Sequence, residues 1–180
     1  MHLDRCSLQT QGDFRQSILI QAPVPVDQNW MEKAVELAKQ SVVSNQGGPF
    51  GAIVVKNGLI VGKGSNQVTS TNDPTAHAEV VAIREACRTL GTFQLDGCEI
   101  YTSCEPCPMC LGAIYWARPS KVYFACTKED AASSGFDDQF IYDEIQIPLP
   151  ERRIPFVQVG RDSALEAFRL WDQKPDKIEY

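Results

Sequence analysis

The sequence predicts an α/β domain in which a mixed sheet is covered by helices on both faces. Two long stretches repeat their apolar residues at helical spacing, and apolar runs of strand length alternate with them, so that the elements follow in the order α-β-β-α-β-α-β. The 180 residues suffice for one domain with a sizeable core, and a content of 43% hydrophobic and 22% charged residues is ordinary for a globular protein.

Each element has its own signal. Residues 1–26 end in Ala22-Pro23-Val24-Pro25-Val26, a rigid extended stretch that reads as an N-terminal arm before a domain over 27–180. Asp27 is the expected N-cap of the first helix, on which Trp30, Ala34, Leu37, Ala38 and Val42 share a face until Gly47-Gly48-Pro49 stops it. Apolar runs at 50–56 and 59–63 flank Asn57-Gly58, a pair suited to the two positive-φ positions of a tight hairpin. A polar loop at 66–74 leads into a second helix over 75–90, with Gly91 as its stop. Residues 98–102 read as a strand, 107–117 as a helix and 121–125 as a strand, and 163–171 as one more short helix.

Composition excludes several classes of function. No apolar run approaches the ~20 residues of a membrane span, and the first residues lack the layout of a signal peptide, so a soluble, cytoplasmic protein with no membrane partner is expected. The net charge of −6 leaves no basic face for phosphates, which argues against nucleic acid as a partner. Within 128–144 stand six acids and one base, nearly the whole excess; a solvated face explains such a run unless chemistry claims it. Seven cysteines without a secretion signal do not read as a disulfide framework. Cys6, Cys87, Cys98 and Cys126 are scattered and read as small buried hydrophobes, whereas Cys104, Cys107 and Cys110 fall within seven residues.

That cluster is where the chemistry concentrates. His77-Ala78-Glu79 stands near the start of one helix and Pro106-Cys107-Pro108-Met109-Cys110 at the start of another, the H-x-E and P-C-x-x-C pairing of zinc-dependent nucleobase deaminases. Residues three apart on a helix share a face, so Cys107 and Cys110 can aim two thiolates at one point, with His77 as third ligand. Three protein ligands leave a tetrahedral zinc one open position for water, the mark of a catalytic site. Glu79, two residues from His77, is free to carry a proton from that water to a leaving amine. Cys104 extends the run to C-x-x-C-x-x-C, but the ferredoxin spacing wants a further cysteine where Ile114 stands. A non-catalytic zinc-binding module is the alternative from a different class, and Glu79 distinguishes the two, because a structural site needs no unligated acid beside its metal.

The segments 72–79 and 101–118 resemble those of the bacterial guanine deaminases of the cytidine deaminase superfamily, and the likeness runs from about Trp30 to Tyr180. Marks of that branch are Gly47-Gly48-Pro49-Phe50-Gly51, Gly135-Phe136-Asp137-Asp138, Ile154-Pro155-Phe156 and the ending Glu179-Tyr180. The resemblance implies a three-layer α/β/α fold with a five-stranded mixed sheet, one zinc ion per subunit, and hydrolysis of guanine to xanthine and ammonia. It also implies a homodimer with exchanged C-terminal segments, in which Tyr180 closes over the partner's site. By position, Asn66 would hydrogen-bond the purine edge, Phe50, Ala78 and Trp116 would contact the substrate, and Asp138 would be a second proton carrier beside Glu79, with Asp143 as the other candidate. Ammeline, a smaller ring with the same amidine-like edge, would be a side substrate. The rivals within the superfamily are a tRNA adenosine deaminase, disfavoured by the acidic chain, and a deaminase of cytosine or a triazine.

Overall fold

A computed structural model of the chain describes residues 28–180; the expected arm, the Asp27 cap and Cys6 lie outside the described residues. The first helix, α1 (Gln28–Val43), lays Ala34, Trp30, Met31 and Leu37 on one face of the sheet, against Ile53, Val55 and Tyr101. β1 (Gly51–Lys56) and β2 (Leu59–Ser65) form the expected hairpin, and Asn57 (φ 51°) and Gly58 (φ 73°) both take the left-handed backbone that its turn demands. β3 (Cys98–Cys104) pairs antiparallel with β1, and β4 (Lys121–Cys126) pairs parallel with β3, so the sheet runs β2-β1-β3-β4.

Helices α3 (Ala78–Leu90) and α4 (Pro108–Ala117) cover the other face. Ala78, Ala82, Ile83 and Ala86 of α3 and Ile114 and Ala117 of α4 close on Ala52, Val54 and Ile100. The three layers are those expected, but among the described residues the sheet has four strands, where five were expected. The stretch 155–160 joins no ladder, and its Phe156, Val157 and Val159 are exposed. A strand exists only where another offers it hydrogen bonds, and here the chain leaves the sheet after β4.

Local chemistry moves other boundaries. The helix expected from 75 starts at Ala78, because Asp73 accepts bonds from both the amide and the hydroxyl of Thr75 and so holds that turn outside the helix. His77 thereby becomes the N-cap of α3. The loop at 66–74 contains a one-turn helix, α2 (Val68–Thr71). After β4 come α5 (Lys128–Ser133), opened by a reciprocal Thr127–Asp130 capping box, and α6 (Gln139–Gln146), neither of which the apolar periodicity had marked. The last helix, α7 (Arg161–Gln173), is longer at both ends than its apolar residues suggest. Of the scattered cysteines, Cys98 is buried and Cys87 half-buried; Cys126 corrects the expectation, being exposed at the end of the edge strand β4.

Two glycines decide how deeply α3 seats. A side chain at Gly62 would strike the carbonyl of Ala82, and one at Gly64 the carbonyl of Ala78, so β2 can carry α3 only with bare backbone there. Gly64→Ala is expected to cost about 1–3 kcal/mol through overpacking, a fall in Tm of roughly 3–9 °C for a chain of this size. An unchanged melting curve would show that the helix is free to ride outward.

Candidate active site

The N-termini of α3 and α4 meet over the C-terminal end of β3. His77 is the N-cap of α3, Cys107 the N-cap of α4, with Pro108 beginning the helix and Cys110 in its first turn. Nδ1 of His77 lies 3.5 Å from Sγ of Cys107 and 3.5 Å from Sγ of Cys110, and the three ligand atoms all fall within 4.8 Å of one another. Bonds of about 2.1 Å to nitrogen and 2.3 Å to sulfur at tetrahedral angles put N and S about 3.6 Å apart, so this trio fits zinc. Cys104 stands aside, its thiol donating to the carbonyl of Thr127 at 3.4 Å, and burial pushes that thiol up to about 11.

Glu79, 5% exposed, sits in the first turn of α3 without belonging to the trio. Its Oε1 accepts from the hydroxyl of Thr102 at 3.2 Å and its Oε2 from the thiol of Cys110 at 3.4 Å. Burial, foremost, raises the pKa of its carboxyl. Without metal, Cys107 is the thiolate: the Cys110 thiol, whose one proton is shared between Cys107 and Glu79, lowers it first and His77 next, to about 4, against the cost of burial. Cys110 keeps that proton because the shared bond and its burial favour the neutral thiol, and the hydrogen bond to Cys107 raises His77.

These residues open on a cavity of about 370 Å³, large enough for a bicyclic base. His77, Glu79 and Cys107 line one side; Phe50, Asn66, Phe136 and Asp138 line others. Phe50 and Phe136 pack edge to face with centroids 5.0 Å apart, an apolar wall for a flat ring. Asn66 is buried and its amide is oriented by the backbone: Oδ1 accepts from the N–H groups of Gly48 (3.2 Å) and Val68 (3.3 Å), which leaves the amide nitrogen to donate into the cavity. Ser41 donates to the Asn66 carbonyl at 3.0 Å from α1 and fixes the same loop from behind.

Asp138 and Asp143 are separated by the structure. Asp138 caps α6 and lines the cavity, its pKa raised by burial and then by the Cys107 charge. Asp143, one turn further on, is exposed and accepts from the side-chain amide of Gln139. Ala78 is fully buried in the core beneath β2, and its side chain does not line the cavity. Trp116 and Tyr180 pack against each other with centroids 5.8 Å apart, both largely exposed and away from the lining of this chain's cavity. Sequence reasoning passed over Thr102, which it saw only as part of a strand, and Lys128, the one base in the acidic run, which also lines the cavity.

Comparison with known proteins agrees with the geometry. Residues 25–126 match the family model described as the cytidine and deoxycytidylate deaminase zinc-binding region. Over 153 residues, 85% of this chain and 98% of the relative, the chain is 56% identical to a guanine deaminase of Bacillus subtilis. A crystal structure of that species' guanine deaminase superposes with a TM-score of 0.83, covering 86% of this chain and 98% of the other. A tRNA-specific adenosine deaminase of Aquifex aeolicus is 53% identical, but over 77 residues, 43% of this chain and 51% of that protein.

The protonation of the trio predicts how it takes up zinc. Cys107 is already ionised at neutral pH, while Cys110 and the protonated fraction of His77 must lose protons, so affinity falls as pH falls. Calorimetric titration of the metal-free protein in buffers of different ionisation enthalpy should show about 1–2 protons released per zinc at pH 7. A release near zero would contradict this protonation pattern.

Proposed function

This chain belongs to the cytidine and deoxycytidylate deaminase family, and from that premise we propose that it hydrolyses guanine to xanthine and ammonia. The observation that carries the reading is Glu79, a buried carboxylate outside the metal trio that faces the cavity the trio lines. The likeness to guanine deaminase spans 85% of this chain and 98% of the relative, whereas the likenesses to tRNA-specific adenosine deaminases span 43–61% of this chain.

His77, Cys107 and Cys110 would hold the zinc ion, which when bound supplies a Lewis acid that makes water more acidic. Glu79 takes the proton from the attacking water as its oxygen bonds to C2 of the ring. The same carboxyl then hands a proton to the amino nitrogen as the C2–N bond breaks and ammonia leaves. Asp138, across the cavity with a raised pKa, is the second proton carrier in preference to Asp143, which lies outside the lining. The amide nitrogen of Asn66 donates to an acceptor on the purine edge, such as the carbonyl oxygen of guanine; adenine carries an amino donor at that place, and two donors repel. Phe50 and Phe136 hold the ring plane. The backbone of Ala78, between the ligand and the acid, is the part of that residue available to the substrate.

The deaminase unit in this reading spans 27–180 and works in the cytoplasm as a homodimer with exchanged C-terminal segments. Two features support the exchange. Phe156, Val157, Val159, Phe168 and Trp171 are exposed on one chain, a surface that a second copy would cover. Trp116 and Tyr180 form a ready-made aromatic pair outside their own cavity, suited to closing the partner's. The described cysteines are all free thiols, which suits a reducing compartment.

Ammonia release should be fast with guanine, slower with ammeline, and negligible with adenine, cytosine or a tRNA anticodon stem-loop. Glu79→Gln should keep its zinc and lose at least about 100-fold in kcat; near-normal turnover would remove the mechanism, and release from the stem-loop alone would replace the substrate. Light scattering should show a dimer, and deletion of 175–180 should lower kcat/KM by about 10-fold or more while leaving the melting curve in place. Unaltered kinetics in that truncation would end the lid role of Tyr180.

A further inference from the structure

We infer that Thr102 is a positioning residue for the reaction, holding the Glu79 carboxylate in the orientation that lets it carry the proton. The inference rests on the reading of Glu79 given above. Thr102 is 1% exposed in the middle of the sheet, its Cα opposite Ala52 on β1 and Phe124 on β4, on the face that α3 and α4 cover. A β-branched residue suits that place, but the packing there needs only a methyl-bearing side chain of its size. The hydroxyl has a separate use, since it donates to Oε1 of Glu79 at 3.2 Å.

The other carboxylate oxygen is differently engaged. Oε2 of Glu79 meets the thiol of Cys110 at 3.4 Å, on the side of the metal trio. That contact belongs to the neutral thiol and is given up when Cys110 ligates the metal, so the strand hydroxyl behind is the fixed partner that sets the plane of the carboxylate. A glutamate has three side-chain torsions, and Glu79 lines a cavity of about 370 Å³ into which its carboxylate can turn without the rear contact. A short hydroxyl on a central strand is the least mobile partner available, because β3 is paired on both sides. The arrangement matters for transition-state geometry and little for binding the ring, which Asn66, Phe50 and Phe136 hold from other elements.

Loss of the hydroxyl should thus lower kcat and leave KM alone. Thr102→Val keeps the shape and removes the bond; Thr102→Ser keeps the bond and removes a methyl group. In the zinc-loaded protein with guanine, Thr102→Val should lose about 10-fold or more in kcat, with KM, zinc content and inhibition by hypoxanthine, which lacks the leaving amine, all within about 2-fold of the parent. Thr102→Ser should recover most of the lost kcat. The inference is overturned if Thr102→Val turns over at the parental rate, if its zinc content or hypoxanthine inhibition falls along with kcat, or if Thr102→Ser is as slow as Thr102→Val. Glu79→Gln, assayed beside them, separates the two claims. If it is inactive while Thr102→Val is fully active, only the positioning role fails; if it is active, the role of Glu79 itself fails.

Discussion

The site depends on how closely α3 can approach the sheet. A helix resting on ordinary side chains is held off the strands by the depth of those side chains, yet here the carbonyls of Ala78 and Ala82 lie where the side chains of Gly64 and Gly62 would otherwise be. The small residues of α3 facing the core, Ala78, Ala82 and Ala86, complete that close seat. Only because the helix is this low does its first turn bring His77 level with the thiols at the start of α4, and Glu79 within reach of a hydroxyl on β3.

Close approach also accounts for the electrostatics. Two helix N-termini converge on one point, and their unpaired amides favour negative charge. A thiolate at Cys107 is the natural occupant, and the charge it brings is felt across the cavity at Asp138 and His77. At Glu79, as at Asp138, burial governs more than any charge does. The site thus holds an acid that resists ionisation next to a sulfur that ionises readily, a contrast that suits one for moving protons and the other for holding a cation.

Much of this was legible in the sequence, and the remainder was hidden for identifiable reasons. Asn57-Gly58 specified the hairpin because both positions demand a backbone few other residues accept, and Cys107 and Cys110 declared themselves because three-residue spacing on a helix has one geometric meaning. The start of α3 was misplaced by three residues because a side-chain bond from Asp73, which periodicity cannot register, outweighs helix propensity there. Helices α5 and α6 went unmarked since they are short, six and eight residues, and cover a cavity in place of a core. The absence of a fifth strand among the described residues and the places of Trp116 and Tyr180 depend on how segments far apart in the sequence meet, and a period read along the chain carries no information about that. Thr102 was invisible for the opposite reason: β-branched residues are so common in strands that a hydroxyl with a task looks like any other.

The far wall of the cavity, built from Lys128, Ala131, Phe136, Asp138, Phe140 and Ile141, belongs to a part of the chain that lies entirely after the last strand. The metal trio and its acid come from 77–110, anchored in the sheet, while this wall hangs on α5 and α6, whose residues are half-buried or exposed. Holding the metal and shaping the far side of the cavity are therefore under different constraints. Substitutions at Phe136, Phe140 or Ile141 can reshape the space around a ring without disturbing the sheet, whereas a change beside His77 or Cys110 meets the metal trio or the core. A lineage built on this plan can vary the far side of its cavity around a fixed Asp138 while the metal-holding half stays nearly frozen.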